Sequence, residues 1–338
     1  MRALVVTNMH PTPQRPALGR FVADQVAALR RLDGVEVELF AFPPGLRSYP
    51  RAARALRRRY RGERFDVVHA HFGLTAWPAL ALRGAPHVVT FHGTDLAHPR
   101  SGRLSRAALP FVSLAATVSA ALAQLVPGAG RRRRVAVLPC GVDLDRFRPL
   151  PRAEARRRLG LDPAGPYLLF PAAAARPEKR VDRARAVAGD VPLLTLEDVA
   201  PDEVPLWVNA ANAVLVPSER EGFGLAVLEA LACDVPVLAT PVGIHPLALE
   251  GVAGTLCAPF DAARWRAAVA PHLAAADPRV AGRARALPFS AQRMAERVAV
   301  AWRALADETG EGAGGRGYSG LRRRRRTRRA RPAASTDR

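Results

Sequence analysis

Lysine is nearly absent from this chain of 338 residues: Lys179 stands alone, although lysine and arginine together number 51. Acidic residues are also scarce, 30 in all, so the formal net charge is +21. The three cysteines, Cys140, Cys233 and Cys257, have neither the pairing of a disulfide framework nor the spacing of a metal site, and reduced thiols in a cytosolic protein are expected. The chain does not open on a charged, apolar and small-residue targeting pattern; its first residues read as a strand. The longest apolar stretch, residues 109–126, is alanine-rich and broken by Ser113, Thr117, Ser119 and Gln124, which argues against a membrane-spanning helix and for helix, strand and helix. No Gly-x-Gly-x-x-Gly turn follows the first strand, which argues against a dinucleotide-binding first turn. What is there, 49% hydrophobic and 24% charged residues, suffices to bury two cores of ordinary domain size.

Short apolar runs at residues 35–42, 65–70, 88–91 and 114–118 alternate with helical patterns, the rhythm of an α/β fold with a parallel sheet covered on both faces. A first domain is expected over residues 1–150, closing at the proline-rich Arg148-Pro-Leu-Pro151. A second spans 151–287. A helix over 288–308, with Met294, Val298, Ala301 and Leu305 along one side, is expected to pack back on the first domain, and a disordered arginine-rich tail follows at 309–338.

The most informative segment is residues 218–232, Ser-Glu-Arg-Glu-Gly-Phe-Gly-Leu-Ala-Val-Leu-Glu-Ala-Leu-Ala, set between apolar runs at 213–217 and 235–240. It reads as strand, glycine-rich turn, helix and strand, the position at which parallel-sheet proteins bind ligands. With Leu225 as the first helical residue, Val227, Leu231, Leu228, Ala232 and Leu225 share one apolar stripe, and Glu229 falls at its border. A half-buried carboxylate needs hydrogen-bond donors, and a ribose diol supplies two. Glu221 lies before the helix, and eight residues at ~1.5 Å rise put the two acids on the order of 10 Å apart, the span of a nucleotide-sugar. Gly222 and Gly224 let backbone approach a ligand, and the free N–H groups at the helix start favour oxygen-rich or anionic groups.

This stretch resembles the Glu-x7-Glu signature of the retaining glycosyltransferases with two Rossmann-like domains, the GT-B fold, in their glycosyltransferase family 4 (group 1) branch. The resemblance extends over residues 1–305. Leu4-Val-Val-Thr-Asn8, the proline-rich loop after it and Gly19 are similar to the family's first loop, which approaches donor phosphates and acceptor; a helix is expected from about Phe21. His92-Gly-Thr-Asp95 looks like the family's turn beside the transferring sugar, and Gly141-Val-Asp143 like its domain junction. The resemblance implies that Glu221, Gly222, Phe223 and Gly224 contact the donor sugar, that Glu229 binds the ribose, that Leu225 belongs to the donor site, and that His92 hydrogen-bonds the sugar. It expects a phosphate-binding Arg and Lys after the strand Tyr167-Leu-Leu-Phe170. Lys179 fits; the family's arginine five residues ahead is Ala174 here, so Arg176 takes its place. The second domain departs from the pattern in being short between Lys179 and Glu221, with no glycine-rich turn at 193–197, which leaves the completeness of the base pocket open.

The resulting expectation is a metal-independent hexosyltransferase without a cofactor, moving sugar from a nucleotide-diphosphate donor to an unidentified acceptor, a lipid-linked or cell-envelope glycan being one class. Catalytic roles fall to His92, Arg176, Lys179 and Glu221, and donor contacts to Gly19, Gly222, Phe223, Gly224, Leu225 and Glu229. The alternative is a basic nucleic-acid or anionic-membrane binding protein with a catalytically silent sugar-nucleotide fold. The arginine-rich tail fits either partner, or a solvated extension without function. Arg51, Arg54, Arg58 and Arg61, beside Leu56 and Tyr60, suggest an amphipathic helix on an anionic inner leaflet, which places the protein in the cytoplasm with a peripheral membrane position open. His69 and His71 alternate onto one strand face as a metal pair does, but no third ligand follows at suitable spacing, so packing or cleft lining is expected.

Overall fold

The computed structural model describes residues 1–130 and 133–314. Its strands form two sheets in which every strand pair is parallel. The first contains β1 (Arg2–Thr7), β2 (Glu36–Ala41), β3 (Val67–His71), β4 (His87–Phe91), β5 (Leu114–Thr117) and β6 (Val135–Val137), in the order β2-β1-β3-β4-β5-β6. The second contains β7 (Leu168–Phe170), β8 (Leu193–Thr195), β9 (Ala213–Val216), β10 (Val237–Ala239) and β11 (Leu256–Cys257), in the order β11-β10-β9-β7-β8. The expected strands are found with their ends displaced by one or two residues. Strands β3, β4 and β5 are buried at every position, as a sheet covered on both faces requires.

On one face of the first sheet, α1 (Arg20–Leu29) and the last helix, Ala291–Gly314, enclose Val5, Val67 and Val88 between Val22, Val26 and Leu29 and Met294, Val298 and Trp302. The opposite face is covered by α2 (Ser48–Arg59), α3 (Ala76–Ala79), α4 (Thr94–Ala97) and α5 (Pro99–Ala107). Here one expectation needs correction. The apolar side of α2, with Leu56 and the following Tyr60, packs inward against Phe40 and Phe65, so this helix keeps no free apolar face for a membrane; Arg61 lies past its end.

The expected break at 309 is also displaced, because the backbone stays helical to Gly314. Glu308 in that helix accepts from Arg134 (2.5 Å), which ties its end to the first domain. The rest of the predicted tail, 315–338, lies outside the described residues. The chain crosses between the sheets twice, side by side: Val142 N–H donates to Phe289 O, and Ala291 N–H to Val142 O, each at 2.8 Å. Gly141 permits this contact, since a Cβ there would stand 2.7 Å from Ala291 Cα.

Candidate active site

The site forms where loops at the carboxyl ends of the two sheets meet. After β1 the chain loops out and returns at Gly19, whose φ of 63° caps α1 in the left-handed region. A Cβ at Gly19 would lie 2.2 Å from Met9 O, so only glycine lets the loop fold back on itself. Beyond β4, the turn at His92 and Gly93 is held by Asp95, whose carboxylate accepts from the N–H groups of His92 (3.1 Å), Gly93 (2.9 Å) and Gly73 (3.1 Å). Burial pushes the Asp95 carboxyl up, and these backbone donors work against that shift.

Behind His92 stands a column of imidazoles. Trp302 Nε1–H donates to His69 Nδ1 (3.1 Å), so His69 carries its proton on Nε2 and donates to Thr90 Oγ1 (2.7 Å). His71 stacks on His69, and its Nδ1 lies 3.0 Å from His92 Nε2. The other ring nitrogen of His71 is buried without a partner among the described residues. A buried N–H without an acceptor is rarer than a buried lone pair without a donor, so His71 is best placed with its proton on Nδ1, donating to His92. His92 then carries its own proton on Nδ1, in a ring that lines the cleft. Burial depresses all three imidazoles, His71 to about 3, so the column is neutral at pH 7. The two strand histidines thus serve packing and the orientation of His92. Phe21 and Phe72 flank the ring, with centroids 4.9 and 4.6 Å away; Phe72 holds a left-handed φ of 70°.

In the second domain, β9 leads through Ser218 and Glu221 into the glycine turn and the helix Leu225–Ala232. Lys179 arrives on a short turn, Pro177–Lys179, and its Nζ donates to both Glu221 oxygens at 2.6 and 2.7 Å. Ser218 Oγ donates to Glu221 Oε1 (2.8 Å). The two residues expected to have separate phosphate and sugar roles are therefore in direct contact. Arg176 is bound to Glu178 (2.7 Å), and Glu197 accepts from the Ala174 N–H (2.7 Å).

The turn glycines are explained by contact. A Cβ on Gly222 would lie 1.9 Å from His92 O in the other domain, and one on Gly224 (φ 98°) 2.4 Å from Nε2 of the buried His245. Glu229 sits half-buried on its helix, and burial pushes its carboxyl up to about 7 against the pull of Arg146. Arg146, in the linker, donates to Asp24 of α1 (2.8 Å), which also accepts from Arg20 (2.8 Å); Arg20 reaches Asp202 of the second domain (3.0 Å).

All ten residues predicted for the site, His92, Arg176, Lys179, Glu221, Gly19, Gly222, Phe223, Gly224, Leu225 and Glu229, line one cleft of about 970 Å³ between the domains. Asn8, Tyr49, Phe72, Leu74, Ser101 and Cys140 also line it and were not singled out from the sequence. Asn8 ends the first-loop segment without a role of its own and Tyr49 carried no motif, but the two meet through a hydrogen bond of 2.9 Å once β1 and α2 are in place. Among the described residues, the first domain contributes no arginine or lysine to the lining, and Arg176 and Lys179 come from the second. A larger crevice, about 1460 Å³, runs between α1, the linker and the last helix, and contains none of the predicted residues.

Comparison with known proteins gives a consistent picture. Residues 4–146 match the profile described as Glycosyltransferase Family 4, and residues 172–274 that of Glycosyl transferases group 1. A D-inositol 3-phosphate glycosyltransferase of Geodermatophilus obscurus is 31% identical over 305 residues, covering 72% of this chain and 67% of the relative. That of Thermobispora bispora is 31% identical over 275 residues, covering 63% and 64%. The chain thus spans about two thirds of the length of these relatives. Among solved structures, Anabaena HepE in complex with UDP and glucose superposes with a TM-score of 0.68 at 18% identity, over 90% of this chain and 100% of that one. Sucrose-phosphate synthase from Thermosynechococcus elongatus gives 0.62 at 19% identity, over 93% and 99%.

Proposed function

Because the chain belongs to the group 1 glycosyltransferases of family 4 type, with two Rossmann-like domains, we propose that it transfers a hexosyl unit from a nucleotide-diphosphate sugar to a hydroxyl acceptor with retention of configuration. The observation that carries this reading is the meeting of Lys179, Glu221, Gly222–Gly224, Glu229 and His92 on one cleft. In it the ribose diol donates to Glu229, the diphosphate lies between Lys179, Arg176 and the helix start at Leu225, and the sugar sits under Glu221 and His92. Charge growing on the departing diphosphate is met by these side chains rather than by a metal ion. HepE, whose structure holds UDP and glucose, supports a nucleotide-sugar as donor.

The proposed retention rests on the family resemblance and is supported by the engagement of the acids that line the cleft. Three acids line it. Asp95 is held by backbone donors, Glu221 by Lys179 and Ser218, and Glu229 belongs to the ribose end. Burial pushes the Cys140 thiol up to about 12, so it offers no thiolate. The leaving phosphate oxygen therefore takes the acceptor proton: the bond from the anomeric carbon to the diphosphate breaks, the bond to the acceptor oxygen forms on the same face, and the proton leaves with the diphosphate. No protein nucleophile is needed, and closure of the domains excludes water.

The relatives are named for inositol 3-phosphate, whereas among the described residues the first domain's side of this cleft presents Asn8, Tyr49, Phe72, Leu74 and Ser101 and neither arginine nor lysine. That side of the lining favours an uncharged hydroxyl-bearing acceptor, with a lipid-linked glycan fitting its apolar members. Thermal-shift binding and turnover with UDP-, GDP- and ADP-sugars test the proposal. Lys179→Ala is expected to lower turnover at least about a hundredfold, a loss of about 2.7 kcal/mol of transition-state stabilisation, with nucleotide-sugar binding weakened. Unchanged binding and turnover in that variant refute the site, and efficient transfer to inositol 3-phosphate refutes the acceptor class.

A further inference from the structure

Three large apolar side chains reach the surface of the first domain together. Trp77 on α3 is 40% exposed, Leu104 on α5 52%, and Phe111 just after α5 62%. The Trp77 and Phe111 rings lie 6.0 Å apart, and Trp77 Nε1–H donates to the Leu104 carbonyl (3.1 Å). The three thus form one patch in which the single polar atom of the indole is already bonded. Isolated exposed apolar residues are ordinary; a clustered Trp, Leu and Phe mark a contact surface.

The segment that carries this patch is strongly basic. Residues 43–130 hold twelve arginines and three acids. Each of these acids is engaged within the protein: Glu63 pairs with Arg2 (2.5 Å), Asp66 accepts from the Arg2 N–H (2.7 Å), and Asp95 holds the His92 turn. Arg51, Arg54, Arg57 and Arg58 are exposed on α2, and Arg57 Nε donates to Ala81 O just beyond α3 (3.2 Å), which sets that basic helix against the patch. Arg100 and Arg103 are exposed on α5 beside Leu104.

We propose that this face of the first domain docks on an anionic lipid surface, with Trp77, Leu104 and Phe111 at the boundary of headgroups and acyl chains and the arginines on lipid phosphates. Charge complementarity selects an anionic partner, and the patch selects a bilayer. Leu104 has no ring to stack on a base, whereas a bilayer accepts indole, phenyl and leucine alike. Arginine is suited to the rim, since its stem lies on apolar surface while the guanidinium binds phosphate. Ser101, one turn before Leu104 on α5, lines the cleft, so docking sets the cleft mouth at the membrane. The inference does not depend on the proposed transfer reaction.

The test uses the full chain and vesicles of phosphatidylcholine, alone or mixed with phosphatidylglycerol, read by flotation and by quenching of tryptophan emission with acyl-brominated lipid. Of the four tryptophans, Trp265 and Trp302 are fully buried and Trp207 is partly buried in the second domain, so Trp77 is the most exposed emitter, and Trp77→Phe separates its signal from that of Trp207. Flotation that requires phosphatidylglycerol is expected, with quenching that Trp77→Phe largely removes. Trp77→Ser/Leu104→Ser/Phe111→Ser is expected to weaken vesicle binding about tenfold or more without changing the melting temperature. Binding by the triple variant equal to that of the parent, or the absence of bromolipid quenching despite flotation, assigns the contact to the arginine-rich tail and overturns the proposal. So does binding to single-stranded RNA that exceeds vesicle binding and is lost in the same variant.

Discussion

Glu229 is the residue at which sequence chemistry and three-dimensional environment meet. Its place at the border of an apolar stripe was legible from the spacing of Leu225, Val227, Leu228 and Leu231, because a helix repeats every 3.6 residues. What spacing does not give is the depth of burial that raises its carboxyl from an ordinary 4.5 to about 7. The sign of the consequence is definite. The unfolded chain loses this proton near 4.5 and the folded chain near 7, so between these values the folded state holds the extra proton, and stability falls as pH rises. Glu229→Gln removes that loss; in urea unfolding it is expected to stabilise the free protein by on the order of 2 kcal/mol at pH 8 and by little at pH 5. In the proposed site, donor binding works in the opposite direction, since ribose hydroxyls donate best to a carboxylate. Nucleotide-sugar affinity is expected to rise from about pH 6 to about pH 8, with proton release measurable by calorimetry in buffers of different ionisation enthalpy. A pH response that persists in Glu229→Gln belongs to another group.

At the scale of the element, the glycine turn before the helix Leu225–Ala232 was readable as a turn, and Gly224 has the positive φ that such a turn needs. Gly222 is a glycine for a different reason. Nothing in its own segment demands one; His92 O, brought from the first domain, leaves no room for a Cβ. Gly222→Ala is therefore expected to hold the two domains apart rather than to unfold either. The measurements are turnover, falling about a hundredfold or more as the cleft fails to close, and the melting temperature, shifting by only a few degrees. A large loss of stability with turnover intact in the remaining folded protein contradicts this account. Element boundaries were legible to within one or two residues where apolar runs are short and bounded. The end of the last helix was not, because Arg134, which holds Glu308, is contributed by β6's approach and is remote in sequence.

At the scale of the molecule, the two sheets are joined by paired crossings, the second of which leads into a last helix packed along the first sheet. Trp302, near the chain's end, is fully buried against the first sheet and bonds His69, 233 residues earlier. Trp302→Ala is expected to destabilise the first domain by about 3–5 kcal/mol through the lost volume and the unpaired His69 nitrogen. Hydrogen exchange should show lost protection in β1 and β3, with β9 and β10 unaffected. Loss of protection confined to the second sheet excludes that role for the last helix.

The sequence by itself determined the α/β class and the two parallel sheets, because these depend on local periodicity, and its resemblance to a known family pointed to candidate donor-side residues that the fold gathers on one cleft. It also determined the strong basic character, which is simple composition. Only the tertiary structure decided that Lys179 grips Glu221, that Asp95 is occupied with backbone, that a buried imidazole column orients His92, and that Trp77, Leu104 and Phe111 share one surface. Each of these joins residues from separate segments. Hydrogen bonding, desolvation and exposure are set by the neighbours that folding assembles, and no periodicity along the chain encodes them.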